Sequence, residues 1–363
     1  MQDAPASVRR IDHLIRLTPF RSLRCALVLA CVFASACAKS ASAPTPPPPV
    51  DPLRISCPSA VTLTSSTGQP TAVRYGTAST TGGTPPIQLT CTPASDSMFN
   101  IGTTTVTCVA TDAKSITNSC TFTVTLNAPP KIALERFLAF GDSMTWGENG
   151  LNTASTVFDA GERLRPAVQL PFADTYPGAL QNALRDRYTV QTPQVSNAGK
   201  PLEAVTGSTT FPRFVGFTSS GQYSAVLLME GANDLADRDS RIFPTVISGL
   251  RRMISDAKSR GMRVFLATIP PENPAGFRAL AWSLVPGFND QIRLLASSEG
   301  VTLVDIHQAF NNDLSLIGAD GLHPNANGYH KIADTFFASL RQQLEVSPGP
   351  TPTALPNILP TRR

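Results

Sequence analysis

Ser143 stands in Phe140-Gly141-Asp142-Ser143-Met144-Thr145, directly after an apolar run, and Asp320-Gly321-Leu322-His323-Pro324 returns near the C-terminal end. A serine hydroxyl is a weak nucleophile near neutral pH; it needs a base to take its proton and an acid to orient that base. Of the four histidines, only His323 has a carboxylate three residues before it. His13 falls in a basic N-terminal segment, His307 follows a strand-like run and His330 lies in a helical pattern. The spacing of Asp320 and His323 lets one turn present acid and base together. Only the serine has to be brought from afar.

The elements that must position these groups can be read from residue 131 onward, where apolar runs alternate with helical periodicity. Strands are predicted over 132–140, 188–195, 224–229, 264–269 and 301–306, and helices over 175–187, 245–260, 286–298 and 326–343. Such alternation implies a parallel sheet covered on both faces, with ligand sites beyond the carboxyl ends of the strands. Polar punctuation follows four of the five predicted strands. It reads Gly141-Asp142-Ser143, Ser196-Asn197-Ala198-Gly199, Glu230-Gly231-Ala232-Asn233-Asp234 and, after a loop, Asp320-Gly321-Leu322-His323. One rim of the sheet therefore collects the groups able to do chemistry.

At 363 residues the chain is long enough for two domains. Its formal charge of +4 is concentrated at the N-terminus: residues 1–36 hold five Arg and two acids, which leaves 25 basic against 24 acidic side chains. That balance gives no electrostatic footprint for nucleic acid. Arg9, Arg10, Arg16, Arg21 and Arg24 precede a short apolar stretch over 25–36, too short to span a bilayer, so 1–36 reads as an export signal. It ends Phe33-Ala34-Ser35-Ala36-Cys37, which resembles a bacterial lipobox and implies lipidation of Cys37 and a membrane anchor. Cleavage without lipid, giving a secreted protein, is the alternative; both take the protein out of the cytoplasm. Residues 37–53 read as a proline-rich tether and 346–363 as a disordered proline-rich tail.

Four of the seven cysteines, Cys57, Cys91, Cys108 and Cys120, cluster within one short stretch, as a small exported module held by disulfides would require. Residues 54–127 read as all-β, and the residues alone allow three pairings. The phrases Ile55-Ser56-Cys57-Pro58, Phe99-Asn100-Ile101-Gly102, Ala110-Thr111-Asp112 and Cys120-Thr121-Phe122-Thr123-Val124 resemble a hyalin repeat (HYR) domain, an immunoglobulin-like sandwich. That resemblance implies the pairs Cys57–Cys120 and Cys91–Cys108, and a role in spacing or adhesion.

Over about 133–344 the chain resembles the SGNH or GDSL hydrolases, whose blocks carry Ser, Gly, Asn and His in this order. Met144 replaces the leucine of the GDSL block, and Lys200-Pro201-Leu202 follows Gly199 where a further glycine is usual. The resemblance implies a three-layer α/β/α flavodoxin-like domain at 131–345 that hydrolyses carboxylic esters; with so few histidines and no cofactor motif, neither a metal nor a cofactor is expected. Ser143 would be the nucleophile, and the Ser143 and Gly199 backbone N–H groups with the Asn233 amide would form the oxyanion hole. Asp142 is expected to bond nearby backbone and Asp234 to support its loop.

Rival chemistries lack their motifs: there is no Gly-x-Ser-x-Gly, His-Glu-x-x-His, Cys-x-x-Cys or Walker-type loop. A glycosidase would need two paired carboxylates, and Glu148, Asp159 and Glu162, which follow the first block, are expected to be solvated instead. Loops 146–172 and 270–284 should wall the pocket, with Trp146, Phe158, Phe172, Phe277 and Trp282 as candidate lining. An esterase joined to a sandwich module suggests O-acyl or O-acetyl groups on carbohydrate, with lipid or lysophospholipid esters as the alternative substrate. From a different class comes the reading of a surface adhesion or scaffold protein with an inactive hydrolase domain.

Overall fold

The computed structural model describes residues 49–150 and 168–346. Cys37, the expected signal over 1–36, most of the expected tether, Phe158, Asp159, Glu162 and all but the first residue of the expected tail lie outside the described residues.

Eight short strands precede residue 130: β1 Arg54–Ser56, β2 Val61–Thr64, β3 Thr71–Val73, β4 Ser79–Thr81, β5 Gln88–Thr92, β6 Ser97–Phe99, β7 Gly102–Thr111 and β8 Thr117–Asn127. β2, β8, β7 and β5 form a four-stranded sheet in that order, and β1 with β4 and β3 with β6 form two-stranded ribbons. Along β7 the inward positions Val106, Cys108 and Ala110 are buried while their neighbours are exposed, the period of two that a half-buried strand imposes. Val106 and Cys108 meet Val73, Phe99, Phe122 and Val124 in one small core. Cys57 is joined to Cys120 and Cys91 to Cys108, the pairs implied by the resemblance. Cys91 and Cys108 are direct cross-strand partners in the antiparallel ladder of β5 and β7.

The second part begins with β9 Lys131–Ile132, which pairs antiparallel with β15 Glu345–Val346 and so clasps the two ends of this region. Between them lie the strands β10 Arg136–Gly141, β11 Gln194–Gly199, β12 Ala225–Met229, β13 Arg263–Ala267 and β14 Thr302–Val304. They form a parallel sheet in the order β11-β10-β12-β13-β14. β10 from Phe137 and the whole of β12 are buried residue after residue, because helices cover both faces and leave no side of these strands for water.

The longer helices are α2 Tyr176–Arg187, α3 Thr210–Thr218, α4 Phe243–Ser259, α5 Val285–Glu299 and α7 Ala326–Leu344; the short α1 Ser143–Trp146 and α6 Ile306–Phe310 follow strand ends. From β10 the chain steps outward to β11, then returns across β10 to β12 and continues through β13 to β14. With right-handed crossovers this reversal puts α2 on one face and α3, α4 and α5 on the other. The packing agrees: α2 lies against α7, α3 against α4, and α4 against α5. The three-layer expectation is met, and the reversal between β10 and β12 opens a crevice at their carboxyl ends. Among the described residues no helix is long and apolar enough to cross a membrane.

Two sequence expectations shift. The second strand starts at Gln194, not 188, because Tyr188 closes α2: its N–H bonds to Leu184 O. Helix α3, which the sequence reading did not include, carries Pro212 in its first turn and Gly216 in its interior, and buries Phe214 against Phe140.

Candidate functional site

The position of Ser143, the candidate nucleophile, follows from how β10 ends. Asp142 caps α1, its Oδ1 accepting from the Met144 N–H at 2.8 Å, and Gly147 closes the helix in the left-handed region at φ 94°. A Cβ at Gly147 would also collide with Thr175, so glycine is required twice over. One tight turn thus fixes Ser143 just beyond the edge of the sheet, where it is 3% exposed.

Asp320, Gly321, Leu322 and His323 form the compact turn anticipated from their spacing. Asp320 Oδ1 accepts from the backbone N–H of both Leu322 and His323 at 3.0 Å each, which leaves Oδ2 for the ring: His323 Nδ1 lies 2.6 Å away. His323 Nε2 lies 2.8 Å from Ser143 Oγ, across 180 residues of sequence. Asp320 and His323 are both fully buried. The chain of contacts from carboxylate to imidazole to hydroxyl can carry a proton from Ser143 to His323 and return it to a leaving group. His307 lies in α6 and His330 on α7, 3.7 Å from Asp174, apart from this chain.

Asn233 opens a turn after β12, and its Nδ2 donates to Glu203 O at 2.8 Å. One amide hydrogen is held in this way and the second is left for a ligand. Asp234 supports the neighbouring loop as expected, accepting from Val205 N, Thr206 N and Thr206 Oγ1.

Gly199 departs from the implied arrangement. It lies inside β11, in register with Gly141, and its N–H donates to Asn197 Oδ1 at 2.9 Å, so that donor is already engaged. A Cβ there would collide with the backbone of Thr145 and Trp146. Glycine is needed because α1 rests on β11, a packing reason and not a ligand one. Asn197 completes this contact by donating to Trp146 O at 3.1 Å. In the loop that follows, Leu202 takes a left-handed φ of 62° and is 68% exposed.

Glu148 overturns the expectation that it is solvated. Its side chain is buried, Oε1 lies 2.5 Å from Arg278 Nη1, and Oε2 lies 3.5 Å from His323 Nε2. Arg278 belongs to loop 270–284, which straps the acid-base turn: Asn273 N donates to Gly321 O and Arg278 N to Asp320 O, both at 2.8 Å. Of the candidate lining, Trp146 and Phe277 are half-buried, whereas Phe172 and Trp282 are exposed. The same loop buries Glu272, which accepts from Ala281 N at 2.9 Å and which loss of solvent pushes up to about 7. Arg278 had a signal of its own in the sequence: it is the single cation in the apolar stretch Ala275 to Leu280.

Two further carboxyl groups, Asp142 and Glu230, are buried after the ends of β10 and β12. Asp142 Oδ2 and Glu230 Oε1 meet no hydrogen-bond donor. Burial pushes Asp142 up to about 7 against the pull of the Met144 N–H, and it drives Glu230 well above the usual carboxylate range, with the Asp142 charge adding to the effect. Because the folded pKa of Asp142 exceeds its unfolded value near 3.9, its contribution to stability is present at low pH and is lost as pH rises towards about 7. Asp142→Asn keeps an acceptor for Met144 and removes the titration. Its melting temperature should therefore fall less than that of the wild type between pH 5 and pH 8, as read by thermal melts; an unchanged spread would exclude Asp142 as a source.

Among the described residues no group of three or more His, Cys, Asp or Glu is placed to hold a metal ion.

The topology and the polar rim define a doubly wound α/β domain, and comparison with known proteins gives the family. Residues 139–331 match the GDSL-like lipase/acylhydrolase family and residues 48–126 match the HYR domain. The chain belongs to the GDSL-like lipase/acylhydrolase family, with a HYR domain preceding the matched region. Over 131 residues it is 29% identical to a multidomain esterase of Ruminococcus flavefaciens, a match covering 35% of this chain and 17% of that longer protein. Similar solved structures include a carbohydrate acetylesterase from Sinorhizobium meliloti, at 17% identity and TM-score 0.46 over 57% of this chain and 98% of that one. An aryl esterase from M. smegmatis gives 17% and 0.47 over 57% and 99%.

Proposed function

We propose that this chain is an exported serine esterase that works through an acyl-enzyme on Ser143, with O-acyl or O-acetyl groups on carbohydrate as its substrates. The observation that carries the mechanism is the contact chain Asp320, His323, Ser143 at 2.6 and 2.8 Å. In acylation the Ser143 Oγ–H bond breaks as Oγ bonds the ester carbon; the proton passes to His323 Nε2 and the carbonyl electron pair moves onto oxygen. Collapse restores the carbonyl and breaks the bond to the alcohol, whose oxygen takes the proton from Nε2. Water then repeats both steps and frees the acid. Donors for the oxyanion are the second Asn233 amide hydrogen and the Ser143 backbone N–H; Gly199, already bonded to Asn197, contributes by seating α1.

Asn233→Ala should lower kcat roughly 100-fold while KM stays within a few-fold, since the donor acts on charge that develops only in the transition state. Steady-state kinetics on a small acetyl ester reads this, and an effect confined to KM would remove Asn233 from the oxyanion site.

Support for a carbohydrate ester comes from the coupling of the hydrolase to a HYR domain; likeness to a multidomain esterase supports ester hydrolysis alone. Rates on acetylated oligosaccharides, short acyl esters and lysolipids, compared on one preparation, test it: a preference for long acyl chains would favour the lipid reading instead. Export rests on the basic, then apolar N-terminus and on two disulfides, which suit an oxidising compartment. The mass of the mature N-terminus tests it, and shows whether Cys37 carries lipid.

A further inference from the structure

His323 Nε2 faces two groups. Ser143 Oγ lies at 2.8 Å and Glu148 Oε2 at 3.5 Å. Glu148 is fixed in backbone as well as side chain: its N–H donates to Ser143 O at 2.9 Å, its carbonyl accepts from Tyr329 Oη at 2.7 Å, and its Oε1 is taken by Arg278. Arg278 Nη1 also lies 3.6 Å from Asp320 Oδ2, so one guanidinium stands between the two carboxylates that flank the imidazole. A carboxylate held in a buried place normally carries the cost of losing water, which a paired cation offsets. Here the pairing engages one oxygen and leaves the other towards the reacting nitrogen.

The sign of that second contact changes during the reaction. With the proton of neutral His323 on Nδ1, facing Asp320, the Nε2 lone pair accepts from Ser143, and a carboxylate oxygen beside it gains nothing. Once Nε2 has taken the serine proton it becomes a charged donor, and the same oxygen attracts it. An interaction that is stronger in the transition state than in the ground state raises turnover without tightening substrate binding. We propose that Glu148, clamped by Arg278, is a positioning residue that stabilises the protonated His323 ring during acylation and deacylation. The inference rests on the proposed roles of Ser143 and His323.

The distinction from a structural brace lies in charge. Glu148→Gln keeps an oxygen to accept from Arg278 and nearly the same volume, but removes the negative charge. Glu148→Asp keeps the charge one methylene further away. Measured on p-nitrophenyl acetate with wild type and Ser143→Ala in parallel, and with folding of each variant confirmed by thermal melts, Glu148→Gln should lose roughly 10- to 100-fold in kcat, the size of one charge-assisted contact. Its KM should stay within about threefold, and Glu148→Asp should fall between it and wild type. Wild-type kcat in Glu148→Gln, or Gln outperforming Asp, overturns the role, because a brace for Arg278 is served as well by an amide oxygen. Should Ser143→Ala retain activity, the nucleophile assignment falls and this inference with it; if Ser143→Ala is inactive while Glu148→Gln is not impaired, this inference alone is lost.

Discussion

Ser143→Ala is expected to lower kcat/KM for a small acetyl ester by about 10⁴- to 10⁶-fold, the scale seen when the nucleophile of a coupled serine relay is removed. No second hydroxyl is placed to take over: Thr145 Oγ1, two residues on, is turned towards Tyr176 Oη at 3.3 Å, and no other serine touches His323 among the described residues. The substitution removes one buried oxygen and leaves α1 in place, because the helix is held by the Asp142 cap, by Gly147 and by the seat on Gly199. Loss of activity with an unchanged melt therefore reports chemistry. Covalent labelling by a fluorophosphonate probe should vanish with it, and a variant that still labels or keeps activity within tenfold of wild type would place the nucleophile elsewhere. The same experiment separates an enzyme from a scaffold that merely retains the motif.

The sequence made the rim legible because its groups are local. Ser143 is placed by residues within one turn, and Asp320 places His323 by bonding its backbone and its ring, so short motifs carry nearly all the geometric information. The buried strand Ala225–Met229 was legible for a related reason, a continuous apolar run that has only one good home in a covered sheet. The boundary of β11 was not: Thr189 and Val190 have strand-forming side chains, but the buried Tyr188 ties that segment to the end of α2 and its hydroxyl to Glu345. Helix α3 escaped because it is short and Gly216 weakens it locally, and only the packing of Phe214 reveals why one forms. Glu148 and Arg278 escaped for a third reason. They are 130 residues apart, and neither motif nor periodicity links them. Gly199 shows the converse error, a glycine read as room for a ligand when it makes room for a helix.

The Glu148–Arg278 pair also bears on what Asp320 does, since a guanidinium 3.6 Å from Asp320 Oδ2 offsets part of its charge and makes its orienting role the more important one. Asp320→Asn isolates that role. The two backbone N–H groups of Leu322 and His323 both need an acceptor, so the amide oxygen must stay where Oδ1 is now, and the NH₂ group must take the place of Oδ2. His323 Nδ1 then faces a donor and must become the acceptor, which moves the ring proton to Nε2. A protonated Nε2 points its hydrogen at Ser143 and cannot accept from it. The variant should fold, because the turn keeps both backbone bonds, yet kcat should fall by about 10³- to 10⁴-fold with little change in KM. The second-order rate of fluorophosphonate labelling should drop in step, since the same proton transfer activates Ser143 towards phosphorus. An Asp320→Asn enzyme within tenfold of wild type would mean that the tautomer is set by another group.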